Sequence, residues 1–190
     1  MSKRFPIPEF DRDQFKNLEW SPLKPLGADA QQKLMAAWNS GDESVCGGYP
    51  VAAPDAFFDR FAIRGEHRVA ILCLLPKRAV TLLGRSFAWK KQLALIVDSL
   101  DPASARPLHE WRTPRPMNTR LGPEDGVKLD GGAVYAVLAH RYADHFVGNR
   151  TMVDNDWPDA PGGRGFRVMS SSDDRLSDFH HANLFFSWQA

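Results

Sequence analysis

The chain has 190 residues, 43% of them hydrophobic and 25% charged, and a formal net charge of +1. That is enough chain to bury a core unaided, and it excludes disorder, which requires low hydrophobicity and high net charge. Two distant cysteines, Cys46 and Cys73, exclude a disulfide framework and a closely spaced zinc knuckle. The start, Met1 to Pro6, is basic but leads into Pro, Glu and Asp rather than an apolar run, and no stretch reaches the roughly 18 apolar residues of a membrane span. A cytoplasmic protein with no membrane partner is therefore expected.

Residues 1–26 hold Pro6, Pro8, Pro22 and Pro25 among Phe5, Ile7, Phe10, Phe15, Leu18 and Trp20. Proline fixes φ and removes donors, so the segment reads as an extended arm laid on its own domain or on a partner. Residues 27–190 then form a single globular domain. A helix is predicted from Ala28 or Asp29 to Ser40, with Asp29 in the first turn and Gly41 as the stop. A second, Pro54 to Phe61, begins at a proline and sets Phe57 and Phe61 on one face. Cys46 to Pro50 between them has the composition of a loop.

Strands are predicted at His67–Leu75, Ala79–Gly84 and Gln92–Asp98. Residues 101–126, with five prolines, read as a long connection. Ala133 to Phe146 carries Val134, Leu138, Tyr142 and Phe146 at helical spacing, yet Asp130-Gly131-Gly132 before it is a hairpin turn, and the strand is preferred. A loop over 154–165 and strands at Phe166–Met169 and Asn183–Trp188 complete the pattern. The fold class is α+β, mainly β: an antiparallel β-sandwich or barrel preceded by a short two-helix segment and an extended N-terminal arm.

Charge is uneven along the chain: −3 over residues 1–59, +8 over 60–120 and −4 over 121–190. Either the three segments pair with one another, or the middle presents a phosphate-binding surface. Phe87, Trp89, Lys90 and Lys91 interleave rings and cations as a single-stranded nucleic-acid surface would, with Arg106, Arg112, Arg115 and Arg120 in support. The near-neutral total counts against that reading.

The histidines invite a divalent metal. His140 and His145, five apart, share a face on neither helix nor strand, whereas His140 with Asp144 and Asp178 with His180 do. The expected ligand set is His140, Asp144, Asp178 and His180. Asp154 to Asp159 resembles a calcium loop only in its acidity. Ser170, Ser171 and Ser172 sit in no nucleophile motif.

The leading functional expectation is a non-catalytic interaction or assembly protein, docking on a protein partner or on itself through the rings of the arm: Phe5, Ile7, Phe10, Phe15 and Trp20. A metal-assisted enzyme using the His/Asp set and a single-stranded nucleic-acid-binding protein are the alternatives.

Overall fold

Side chains alternate across a strand every two residues, and in this fold that alternation decides what meets what. The structure is a computed structural model that describes residues 10–175 and 177–190. After a 3₁₀ turn at Arg12–Phe15 come α1 (Ala28–Asn39), β1 (Gly47–Val51), α2 (Asp55–Arg60) and β2 (Ile63–Arg64). Next are β3 (Ala70–Leu75), β4 (Val80–Arg85), β5 (Gln92–Val97), β6 (Pro107–Arg112), β7 (Arg120–Leu121) and β8 (Val127–Leu129). The chain then forms β9 (Gly132–Tyr142), β10 (His145–Gly148), β11 (Arg150–Asp154), β12 (Gly163–Ser171) and β13 (Ala182–Gln189).

These strands make two sheets packed face to face as a sandwich. The first has β9 at its centre, with β3 and then β1 on one side, β5 and then β6 on the other, and β10 with the short β2 continuing beside the second half of β9. The second runs β11-β12-β13-β4, with β7 and β8 both pairing β4. Pairing is antiparallel except for the two-residue contact of β10 with β2. Neither sheet closes into a barrel.

The run Ala70–Leu75 is buried throughout because both of its faces are covered. Ile71, Cys73 and Leu75 join Ala94, Ile96, Val134, Ala136 and Leu138 on the inner face of the first sheet, against Val80, Leu82, Phe166, Val168, Leu184 and Phe186 of the second. Phe166 and Phe186 stack at 4.6 Å between centroids. Ala70, Leu72 and Leu74 point the other way and bury beneath Phe57 and Phe58 of α2 and Leu34, Met35 and Trp38 of α1. Trp38 Nε1 donates to the Leu75 carbonyl at 2.9 Å. α1 ends at Gly41, whose φ of +92° suits only glycine.

The outer face of the second sheet is covered by the arm. Phe15 is 2% exposed and packs with Phe10, Phe185 and Trp157, and Arg167 lies 5.2 Å over its ring. Phe179 N–H donates to the Phe15 carbonyl at 2.7 Å, and Leu18 N–H to Ser177 at 3.2 Å. Trp20 Nε1 reaches the Thr151 carbonyl at 3.2 Å. Of the arm's two expected resting places, its own domain or a partner, Phe10, Phe15 and Trp20 take the first in this structure. These rings lie against the sheet of their own chain, which otherwise would expose Leu83, Met169 and Phe185 to water. Phe5 and Ile7 lie outside the described residues.

Several segments differ from, or add to, their sequence reading, β8, β10 and β11 among them. Gly47–Val51, read as loop, is strand β1, because a strand at the edge of the sheet tolerates Pro50 and glycine. Residues 101–126 contain β6 and β7, with prolines confined to strand ends and turns. The acidic segment after β11 is a clasp: Asn155 Oδ1 accepts from Gly48 N–H at 2.8 Å and Nδ2 donates to its carbonyl, Asp154 binds Arg167, and Trp157 is buried.

Candidate functional site: a polar cleft at one end of the sandwich

The alternation that fills the sandwich with apolar side chains also brings polar ones inward at one end. On β9 the inward series is Val134, Ala136, Leu138, then His140; on β5 it is Ile96, Ala94, then Gln92; on β12 it is Phe166, Val168, then Ser170. Gln92 and His140 face each other in register. Asn149, at the β10–β11 junction, ties them together. Its Nδ2 donates to Gln92 Oε1 and Ser170 Oγ, both at 2.9 Å, and its Oδ1 lies 2.7 Å from His140 Nδ1. Ser170 Oγ–H donates to the Ala182 carbonyl at 2.7 Å. All four side chains are buried and all are bonded, as buried polar groups require.

The network fixes a tautomer. Asn149 spends both amide hydrogens as donor, so its oxygen accepts and His140 Nδ1 must carry the proton. The lone pair is then on Nε2. Burial holds the His140 pKa below the ordinary histidine value, so the ring stays neutral at pH 7.

Above this network lies an open cleft of about 650 Å³, walled by His67, Lys90, His140, Tyr142, Ser172 and Asp174, among others. Lys90 Nζ donates to the Ser172 carbonyl at 3.0 Å. His67 Nε2 lies 3.1 Å from Asp174 Oδ1 and 3.7 Å from Glu66 Oε1. The loop carrying His67 can lie there because Gly148 has no side chain: a Cβ at Gly148 would run into the His67 carbonyl. Beside the cleft, His181 Nδ1 accepts the Ser172 N–H at 2.9 Å, with Ser172 Oγ 3.1 Å away. Burial pushes the His181 pKa down to about 4. That nitrogen is already an acceptor, and among the described residues no carboxylate is hydrogen-bonded to the ring, so the Ser–His contact lacks the orienting partner of a catalytic triad. The thiols offer no nucleophile: burial raises Cys46 to about 11, and Cys73 is raised further inside the core.

The expected metal ligands are not gathered in one place. His140 is in the inward network, while Asp144 sits on the exposed β9–β10 turn and bonds to His145 Nδ1 at 3.0 Å. His180 contacts Phe87 and His181 before β13, and Asp178 acts on it only at longer range. Among the described residues, the group of three possible ligands with atoms within 4.8 Å of one another is Glu66, His67 and Asp174. Sequence reading missed this group because two neighbours on one loop meet a carboxylate more than a hundred residues away.

Of the proposed nucleic-acid surface, Phe87 lies beneath Arg12 at 4.2 Å and Lys90 is tied to Ser172, whereas Trp89 is 80% exposed. Arg106, Arg112 and Arg120 each pair with a carboxylate: Asp98, Glu110 and Glu124. Arg68 and Arg78 pair with Asp55 and Glu43 of the acidic first segment.

No protein-family model matches the chain, and no curated protein does. Among solved structures it is similar to the C-terminal domain of the BC2L-C lectin from Burkholderia cenocepacia, at 16% identity over 62% of this chain and 92% of that one, with a TM-score of 0.41. No helix among the described residues is long and apolar enough to cross a membrane.

Proposed function

We propose that the chain is a non-catalytic interaction or assembly domain that docks a protein partner on the rim of this end cleft. The observation that carries the reading is Trp89. It stands 80% exposed on the β4–β5 connection, beside the cleft-lining Lys90, with Tyr142 60% exposed on the same cleft. An indole held out to solvent on a sheet connection, with Lys90 and Lys91 next to it in the chain, has the composition of an interface hot spot. The cations around it favour a partner with acidic residues flanking an apolar socket. With the arm's described rings placed against the chain's own second sheet, this rim is the better docking element. Single-stranded nucleic acid is less well served, since Phe87 and Lys90 are already engaged and the neighbouring arginines are paired.

The test is a photo-crosslinking residue placed at position 89 in the native host, with a control at Lys77. One defined adduct is expected at 89 and none at 77. The purified pair should then bind, and Trp89→Ala should weaken binding at least tenfold. If position 89 gives no adduct, and sedimentation shows no concentration-dependent self-association either, the reading is overturned.

A further inference from the structure

We propose that Glu66, His67 and Asp174 bind one divalent transition-metal ion, of the zinc class, at the wall of the end cleft. Three donors already converge: His67 Nε2 is 3.1 Å from one carboxylate oxygen and 3.7 Å from the other, and all three ligand atoms fall within 4.8 Å. One imidazole nitrogen and two carboxylate oxygens suit a borderline cation such as Zn²⁺. The positions are built from behind. The His67 ring rests against the Trp20 ring at 5.5 Å, its backbone against Gly148, and Arg150 Nε lies 3.6 Å from Asp174 Oδ1, tethering that carboxylate to the wall.

A second, independent observation points to a ligand in the same cleft. His140 is 7% exposed, and Asn149 forces its proton onto Nδ1, so the Nε2 lone pair has no protein partner and belongs to a side chain that lines the cavity. An acceptor without a protein partner, on a side chain otherwise buried and lining the cleft, offers a donor-bearing ligand a fixed point of attachment. Three protein donors leave a zinc-class ion with open coordination positions toward the cleft, and whatever fills them comes within the space that His140 lines. None of its three ligands belongs to the set expected on sequence; His140 of that set only lines the same cleft.

The site stands whether or not Trp89 docks a protein, because the probe is the metal alone. Zn²⁺ is titrated calorimetrically into the full chain, stripped of metal and carrying no affinity tag. One ion per chain is expected at micromolar or tighter affinity. His67→Gln and Asp174→Asn should each weaken binding at least tenfold with an unchanged circular dichroism spectrum, and His109→Gln, remote from the cleft, should not. Asp174 is largely exposed, and Asn keeps its size, so the unchanged spectrum separates loss of the ligand from loss of its contact with Arg150. Absence of stoichiometric uptake in the wild type, or wild-type affinity in both His67→Gln and Asp174→Asn, would overturn the proposal.

Discussion

His140 Nδ1–H donates to Asn149 Oδ1 across 2.7 Å, which sets the imidazole's tautomer, and the Asn149 amide binds Gln92 and Ser170 to the same point. Replacing Asn149 with Ala leaves Gln92 Oε1 and His140 Nδ1 without a protein partner in a buried setting, and Ser170 Oγ keeps only its bond to the Ala182 carbonyl. A loss of about 2–4 kcal/mol is expected, because orphaned buried groups cost more than a single bond contributes. Urea unfolding measures it, and a loss under about 1 kcal/mol would mean that water replaces the amide fully.

Histidine burial gives the stability a pH dependence. The His181 pKa is held at about 4, and burial lowers His140 and His180 in the same direction. The unfolded chain therefore binds more protons than the folded one once pH drops below the ordinary histidine value of about 6.5. Stability is at its plateau above that pH and declines as pH falls toward 4, by at most about 1.4 kcal/mol per pH unit for each histidine. Comparing unfolding at pH 7.5 and 5.5 for the wild type and His181→Gln checks this: the variant should show the shallower decline.

The arm is expected to behave as part of the core. Phe15→Ala removes a side chain that is 2% exposed among Phe10, Phe185 and Arg167, and should cost about 3 kcal/mol. Thermal unfolding reads this directly. An unchanged melting temperature would show that the arm lifts off the second sheet in solution.

Gly148→Ala puts a methyl group into the His67 carbonyl. The loop must move, at a cost of about 1–3 kcal/mol, the range for overpacking. A Trp20 fluorescence shift should accompany the loss, since Trp20 sits edge-on to His67.

Trp89→Ala, by contrast, should change stability by no more than about 0.5 kcal/mol, because the ring is 80% exposed. A large destabilisation in urea would mean that the indole packs on its own domain after all.

The sandwich was legible where a strand is apolar on both faces or follows a strong turn. Ala70–Leu75 announced itself by its unbroken apolar run, and Asp130-Gly131-Gly132 identified Gly132–Tyr142 as strand despite its four-residue periodicity. β1 and β6 were hidden because edge strands accept the Pro and Gly that elsewhere mark loops. The short β10 and β11 carry too few residues for a period. The cleft was hardly legible at all. His140 was singled out, but its partners Gln92, Asn149 and Ser170 are ordinary polar residues on separate elements, and only the register of the sheets puts them together. Likewise nothing local distinguishes Glu66 and His67 from any charged turn until Asp174 arrives beside them.

The place of β9 in the first sheet bears on how the protein is made. β3 and β5 pair with β9 on its two sides and not with each other. Emerging from the ribosome, both are nascent strands with bare edges until Gly132–Tyr142 follows them out of the exit tunnel. β4 waits longer, since its main partner is β13. Strands as apolar as β3 and β5 thus keep one edge open, with only β1 and β6 beside them, until late in synthesis, and so non-local a topology is expected to fold slowly and to respond to translation speed and chaperone supply.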